Sequence, residues 1–267
     1  MIGAIIGDIV GSTFEYVGNK TKDFILFESG SAITDDSILT MAVFCALEKC
    51  SGNYERLSEY TANEILRWYK KYPNPSGAYG SGFENWCLNS LEAGKIQPPY
   101  NSYGNGAAMR VSPVAYFANS LEHCKELSRK VTKVTHNHPE GIKGAEATAV
   151  AIYMALNGKS KNEIREYIEN NYYPLNKLCN DIRKDYQFDT TCQGTVPQSI
   201  QAFLEAINYE DAIRITISLG GDADTMGAIT GAIAEAFFGI PKIIEEKVFD
   251  YLDDNCKQVV KRMIEKK

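Results

Sequence analysis

Two acidic clusters are the residues best suited to chemistry, and an apolar segment follows each of them. Residues 34–37 read TDDS, and residues 220–225 read GGDADT. Helix capping explains such clusters one at a time, because Thr and Asp side chains at a helix start satisfy free N–H groups and the helix dipole. Together the clusters would bring four carboxylates near apolar segments, where burying a carboxylate without a partner costs free energy. The pair therefore indicates more than capping.

Divalent cations would neutralise these carboxylates. Two such ions carry four positive charges, which match the charges of Asp35, Asp36, Asp222 and Asp224. Carboxylates with threonine hydroxyls are hard oxygen ligands, and these favour Mg²⁺ or Mn²⁺ over zinc. A two-cation site positions anionic substrate groups and activates a water. The clusters thus predict a metal-dependent site.

Asp8 and Glu15 offer two more carboxylates, among glycines near the start of the sequence. One interpretation is an ordinary turn that Asp8 caps. If this segment folds against the acidic clusters, Glu15 becomes a candidate general acid/base or a further metal ligand.

Two other segments carry candidate ligand contacts. Residues 101–108 (NSYGNGAA) are similar to an anion cradle, since glycines let backbone N–H groups approach a phosphate. Their spacing matches neither a Walker A loop nor G-x-G-x-x-G, so a plain surface turn is the alternative. His136 and His138 lack the partners of a zinc site, and Pro139 indicates a loop. We expect these histidines to contact a ligand or to make a structural hydrogen bond.

Composition excludes several classes of function. The chain has 28 basic and 34 acidic residues, so its net charge of −6 argues against general nucleic-acid binding. No apolar run approaches the ~20 residues that cross a bilayer, and the apolar N-terminal segment lacks the basic region of a signal peptide. The seven cysteines form no C-x-x-C pair and are expected to be reduced core thiols. We therefore expect a cytoplasmic protein with no membrane partner.

Helical periodicity dominates the elements that must position these residues. Apolar residues recur at three- and four-residue steps in 34–47, 58–72, 121–134, 144–156 and 226–238. A capping-box pattern at Ser160 predicts one more helix. Residues 226–238 are apolar nearly all round, which places them at the centre of the core. Residues 213–219 alternate as in a strand but equally suit a helix. Loops are expected over 72–82 and 95–106, and the chain as a single all-α domain over residues 1–267.

Five motifs, in this order, resemble the ADP-ribosylglycohydrolase family: GDIVGSTFE, TDDS, SYGNGAAMR, THNHPEG and GGDADTMGAITGAIAEAFFG. That family includes the dinitrogenase-reductase-activating glycohydrolase and the ADP-ribosyl-acceptor hydrolases. The resemblance spans residues 1 to about 240. It implies a single-domain orthogonal helical bundle with two Mg²⁺ or Mn²⁺ ions at the bottom of a cleft.

The resemblance also implies roles for individual residues. The implied metal ligands are Thr34, Asp35, Asp36, Asp222, Asp224 and Thr225. The implied catalytic residues are Glu15, Asp35 and Asp36, with Glu15 acting as acid/base, as a gate, or as both. The implied substrate contacts are Gly80, Ser102, Tyr103, Gly104, Asn105, Gly106 and His136.

The activity that follows is hydrolysis of the glycosidic bond between ADP-ribose and an acceptor, with carboxylates stabilising an oxocarbenium-like sugar. The expected substrate is an ADP-ribosylated arginine or serine side chain, so that the enzyme reverses mono-ADP-ribosylation. Three alternatives stay open: a hydrolase of free derivatives such as O-acetyl-ADP-ribose, a Mg²⁺-dependent nucleotide-diphosphate phosphohydrolase, and a non-catalytic ADP-ribose-binding protein. We expect the protein to be a monomer.

Overall fold

Helices form nearly all of the regular structure in the computed structural model, which describes residues 1–266. The helices of the first half are α1 (Ile2–Gly11), α2 (Asp35–Lys49), α3 (Leu57–Lys71), α4 (Ser81–Glu92), α5 (Gly106–Met109), α6 (Val114–Phe117) and α7 (Leu121–Thr132). Those of the second half are α8 (Pro139–Leu156), α9 (Lys161–Asn171), α10 (Cys179–Asp185), α11 (Cys192–Glu205), α12 (Tyr209–Ile217), α13 (Ala223–Phe238), α14 (Lys242–Lys247) and α15 (Asp254–Lys266), with a 3₁₀-helix at Val248–Tyr251.

Extended pairing in the described residues is limited to two isolated bridges, Thr34 with Ser76 and Gly104 with Thr191. The predicted all-α, single-domain fold is therefore confirmed. The proposed domain limit of 267 falls on a residue outside the described ones, so that boundary stays a prediction.

The centre of the core is the contact between α1 and α13. Every residue of α1 is buried, and so is α13 from Ala223 to Glu235. Gly3 and Gly7 of α1 face Gly231 and Gly227 of α13; a Cβ on Gly7 would lie only 1.9 Å from the carbonyl oxygen of Gly227. Only glycine permits this approach of two backbones. It confirms the core position predicted for residues 226–238 and brings Asp8 beside the start of α13.

Most predicted helices occur with small differences at their ends. Residues 213–219, which suited a strand or a helix, lie mainly in α12, where the Asn208 side chain accepts a hydrogen bond from the backbone N–H of Asp211. The predicted capping box is present, because Ser160 and Glu163 bond to each other's backbone N–H groups at the start of α9. These two helices begin where a side chain satisfies their free N–H groups.

Two expectations were wrong. The interpretation of Asp8 as the cap of a turn fails, because Asp8 lies within α1. The loop expected at Pro139 is the first turn of α8, and the His138 side chain caps it by accepting from the N–H of Glu140. Proline suits this position because it has no N–H to satisfy and a helical φ.

The seven cysteines are all buried and form no disulfide, as expected for core thiols. Among residues 1–266, no helix combines the length and apolar character that crossing a membrane requires.

Candidate functional site

A cleft of about 440 Å³ contains most of the candidate residues. Its acidic floor lies at the N-terminal ends of α2 and α13, and its walls are the loops before α4 and α5. The cleft-lining residues that the sequence predicted are Glu15, Asp35, Asp36, Gly80, Ser102, Gly104, Asn105, Gly106, His136, Asp222, Asp224 and Thr225. The fold therefore brings segments more than 200 residues apart in sequence into one site.

Helix capping accounts for only part of the two acidic clusters. Thr34 is the N-cap of α2, and its hydroxyl accepts from the backbone N–H of Asp36 at 3.2 Å. Asp222 occupies the N-cap position of α13 but makes no capping hydrogen bond. Its carboxylate instead accepts from the Asn105 side chain at 2.7 Å. The Asp222 side chain thus contacts a residue of the cleft and does not cap α13.

The carboxylates form two triads that share one residue. One triad is Asp8, Asp36 and Asp224, and the other is Glu15, Asp222 and Asp224; within each, one oxygen per residue lies within 4.8 Å of the others. Neither triad includes Asp35, although Asp35 lines the cleft. Both triads offer oxygen atoms alone, which is the ligand set that Mg²⁺ and Mn²⁺ prefer.

Asp8 is a triad member that the sequence analysis did not place in the site. Its carboxylate accepts from the Thr34 N–H at 3.0 Å, from the Thr34 hydroxyl at 2.7 Å and from the Ser37 N–H at 3.1 Å. The Ser37 hydroxyl donates to it as well. The sequence carried one indication of this role: Asp8 is the single charged residue in the apolar segment 1–12.

Burial governs the charge state of these carboxylates. It raises the pKa of Asp8 to about 6, although four hydrogen bonds from Thr34 and Ser37 oppose it. Burial and neighbouring carboxylates together raise the pKa values of Asp36 and Asp224 well above the usual range. Burial and the charge of Asp224 raise that of Glu15 to about 7.

One carboxylate oxygen of the triads has no hydrogen-bond partner among the described residues, and it indicates whether a cation fits this site. The buried Oδ1 atom of Asp36 has no hydrogen-bond partner among residues 1–266. A buried carboxylate oxygen without a partner is costly, and a bound divalent cation would satisfy it. The hydroxyls of Thr34 and Thr225, which lie 3.4 and 3.3 Å from Asp36 Oδ2, add further oxygen donors. The residues present therefore fit divalent cations.

The glycine-rich loop at residues 102–106 forms one wall of the cleft. It is tied to the start of α11, because the Asn105 N–H donates to the Thr190 carbonyl at 2.8 Å and the Cys192 N–H donates to the Tyr103 carbonyl at 2.9 Å. Its glycines face His136: Cβ atoms on Gly104 and Gly106 would lie 3.8 and 3.5 Å from the imidazole Nε2. The loop is thus held in place and leaves space for a ligand beside an imidazole.

Tyr103 differs from its neighbours in this loop. Its side chain is largely exposed and packs on His138, with ring centroids 5.2 Å apart. Tyr103 does not line the cleft itself, whereas the other predicted loop residues do.

Two aromatic residues at the cleft mouth were not predicted from the sequence. Tyr16 is 73% exposed and Phe188 is 45% exposed, and both line the cleft. Their ring centroids are 5.5 Å apart, so the two side chains are in contact, and Tyr16 follows Glu15 in the sequence. Their spacing in the sequence offers no periodic pattern that could have indicated the contact. Arg110 also lines the cleft without having been predicted as a site residue, and it is fully buried.

Comparison with known proteins identifies similar sequences and folds. The model of the ADP-ribosylglycohydrolase family matches residues 1–266. The ADP-ribosylarginine hydrolase Tri1 of Pseudomonas putida (strain GB-1) is 27% identical over 263 residues, which cover 90% of this chain and 70% of that protein. The ADP-ribosylhydrolase ARH3 of Xenopus tropicalis is 26% identical over 314 residues, with 91% and 87% covered.

A solved structure of an "ADP-ribosylglycohydrolase-related protein complex" has a similar fold. Its TM-score is 0.70 at 21% identity, and the match covers 97% of this chain and 93% of that one.

Proposed function

Because the chain belongs to the ADP-ribosylglycohydrolase family and is an ADP-ribosyl hydrolase, we propose that it cleaves the glycosidic bond between ADP-ribose and a protein arginine. The observation that carries this proposal is the pair of carboxylate triads sharing Asp224, of which every member except the buried Asp8 lines the cleft. A glycine-rich wall beside that floor suits a diphosphate. The cleft thus offers separate places for the ADP moiety and for the reacting ribose.

We propose that two Mg²⁺ or Mn²⁺ ions are the cofactors. When bound, they would hold the ribose hydroxyls and a water, and would stabilise negative charge. The proposed ligands are those that the resemblance implied, with Asp8 added by its position in a triad. Asp35 stays among the proposed ligands and catalytic residues because it lines the cleft next to Asp36.

Glu15 is the proposed acid/base. It is half-buried, lines the cleft and belongs to the triad with Asp222 and Asp224. Its carboxyl can take a proton from the attacking water or give one to the leaving nitrogen. The remaining carboxylates face a sugar carbon that becomes oxocarbenium-like as its bond to the acceptor breaks. Asp36 and Asp35 are proposed to stabilise that charge.

The rim of the cleft favours arginine over serine as the acceptor. Tyr16 and Phe188 place two aromatic rings in the lining of the cleft, which also includes Glu15. A guanidinium group stacks on aromatic faces and pairs with carboxylates, whereas a serine side chain does neither. The name of the Pseudomonas putida relative, an ADP-ribosylarginine hydrolase, supports the same choice.

Product analysis tests the proposal. Peptides ADP-ribosylated at arginine or at serine would be incubated with Mg²⁺ or with a chelator, beside O-acetyl-ADP-ribose as a third substrate. We expect free ADP-ribose from the arginine peptide, only with metal, and none from the Asp222→Ala variant. Release of AMP would instead show a phosphohydrolase, and ADP-ribose binding without any product would show a binding protein.

A second measurement tests the acceptor. Phe188→Ala removes one ring of the rim and leaves both triads intact. We expect it to lower kcat/KM about tenfold for the arginine peptide, the size of a stacked cation–π contact, and to leave ADP-ribose affinity unchanged. Equal turnover of both peptides by the wild type would contradict the arginine assignment. We expect the enzyme to act as a monomer, which sedimentation would check.

A further inference from the structure

Thr135 connects a buried arginine to the cleft imidazole. The Arg110 Nη2 atom lies 2.6 Å from the Thr135 hydroxyl, and that hydroxyl lies 2.7 Å from Nδ1 of His136. All three residues are buried, with exposed fractions of 4% or less. Within residues 1–266, the structure gives the Thr135 hydroxyl no other side-chain or backbone partner.

The chemistry of the three groups fixes the direction of this chain. A guanidinium only donates, so Arg110 donates to the Thr135 oxygen. A hydroxyl has one proton, and the only acceptor left for it is Nδ1 of His136. Nδ1 must then be unprotonated. A neutral imidazole in this arrangement carries its proton on Nε2.

The two other arrangements are less favourable. If Nδ1 carried the proton, the Thr135 hydroxyl would be a buried donor without an acceptor, which is unfavourable. If both nitrogens were protonated, a second buried cation would lie beside Arg110. Burial and the Arg110 charge lower the pKa of His136 well below its usual range, which agrees with a neutral ring.

The Nε2 atom is the part of the ring that faces the glycine-rich loop, as the 3.5 Å distance from a Cβ on Gly106 indicates. We propose that Arg110 and Thr135 are positioning residues, which hold His136 as the Nε2–H tautomer and aim that proton at the diphosphate oxygens of the substrate. The diphosphate rests on the proposed function, whereas the tautomer rests on the hydrogen bonds alone.

The burial of Arg110 agrees with this positioning role. Its Nε and Nη1 atoms have no hydrogen-bond partner among the described residues, so its one side-chain bond there is the one to Thr135. A buried guanidinium with so few partners is a costly residue to keep for packing alone. As a group that can only donate, Arg110 cannot accept the Thr135 hydroxyl proton, so that proton is left to Nδ1 of His136.

The tautomer can be measured directly in the free protein. The chain has three histidines, so ¹⁵N-histidine labelling with a His136→Gln variant would assign the ring signals of His136. We expect a single Nε2–H tautomer across neutral pH in the wild type and in Thr135→Ser, which keeps the hydroxyl. Thr135→Val keeps the side-chain shape but removes the hydroxyl, and we expect it to give a mixture of tautomers. A protonated Nδ1 in the wild type would overturn the proposal.

Binding and turnover test the second half of the proposal. Because Thr135→Val removes the hydroxyl that keeps the proton on Nε2 of His136, we expect ADP-ribose affinity, measured by calorimetry, to fall about tenfold. Thr135→Ser should stay within about twofold of the wild type. For hydrolysis, KM should rise about tenfold while kcat changes little, since the contact is made before and during the reaction.

The outcomes separate this proposal from the proposed function. Unchanged ADP-ribose affinity in a Thr135→Val protein with mixed tautomers would overturn the diphosphate contact only. A wild type that neither binds ADP-ribose nor hydrolyses any ADP-ribosylated substrate would overturn the proposed function, and the tautomer measurement would still stand. If Thr135→Val does not fold, the wild-type protein still tests the tautomer. The diphosphate contact is then tested by comparing the ADP-ribose affinities of Arg110→Lys and Thr135→Ser. Arg110→Lys should weaken ADP-ribose binding severalfold, and equal affinity in the two variants would overturn the positioning role.

Discussion

Asp224 is the residue on which the acidic floor depends most, because its carboxylate belongs to both triads. Asp224→Asn keeps the shape of the side chain but removes one charge from the cluster. We expect the variant to lose metal-dependent hydrolysis by more than about 100-fold and to bind divalent cations weakly. In the presence of chelator at about pH 8, however, it should melt about 3 °C above the wild type, because less buried repulsion remains.

The matched control for this variant is Asp23→Asn, which removes an exposed carboxylate that belongs to neither triad. Its melting temperature and activity should equal those of the wild type. An Asp224→Asn protein that retains full activity would exclude Asp224 as a metal ligand. A lower melting temperature in chelator would contradict the repulsion argument.

Glu15 tests a different property, the transfer of a proton. Glu15→Gln keeps the size of the side chain and removes its ability to exchange a proton. We expect kcat to fall about 100-fold or more, while ADP-ribose affinity changes less than about threefold. Single-turnover kinetics and calorimetry would measure the two quantities. Loss of affinity with an unchanged kcat would make Glu15 a ligand contact and not the acid/base.

Helices α1 and α13 set the distance between Asp8 and Asp224. The geometry of the first triad therefore depends on how these two helices pack. Gly7→Ala would place a Cβ 1.9 Å from the Gly227 carbonyl oxygen, and the two helices would have to move apart. We expect the free energy of unfolding to fall by about 3 kcal/mol, the upper end of ordinary overpacking. Divalent-cation affinity should fall as well, because the first triad spans the two helices.

Gly80→Ala is the control for this substitution. Nothing lies within 4 Å of a Cβ on Gly80, and its φ of −59° suits any residue. Its free energy of unfolding should change by less than about 1 kcal/mol. Denaturant titrations of both variants would measure the difference. Equal stability of the two would mean that α1 and α13 are not in close contact.

The elements also show why some features were predictable from the sequence and others were not. The helices around the acidic clusters were predictable because periodicity and N-cap residues are local. Asp8 was not, since its role depends on a helix pair that packs through glycines more than 200 residues apart in sequence. The Tyr16–Phe188 contact was missed for the same reason, because it joins two loops that no sequence pattern relates. Motif resemblance placed the other carboxylates, yet it did not indicate that Asp35 lies outside both triads.

At the scale of the whole molecule, the buried carboxylates connect folding, pH and metal binding. In the metal-free protein, Asp8 has a folded pKa of about 6, above its ordinary value of 3.8. Between these values the folded state binds more protons than the unfolded state. Stability therefore falls as pH rises from about 4 to about 6, and the loss is complete above that range. Asp36 and Asp224 shift in the same direction.

Divalent cations should reverse this trend, because they bind carboxylates only in the charged form, and binding to the folded state adds stability. We expect about 10 mM Mg²⁺, a saturating concentration, to raise the melting temperature by several degrees near pH 7.5 and by about one degree or less near pH 5. At each pH, comparing Mg²⁺ with chelator cancels the contribution to stability of carboxyl groups whose pKa is lowered by folding. The exposed Glu163 is one of them, because hydrogen bonds from Lys159 and Ser160 lower its pKa to about 2. Scanning calorimetry would measure the two differences. An equal Mg²⁺ effect at both pH values would show that the ion binds away from the buried carboxylates.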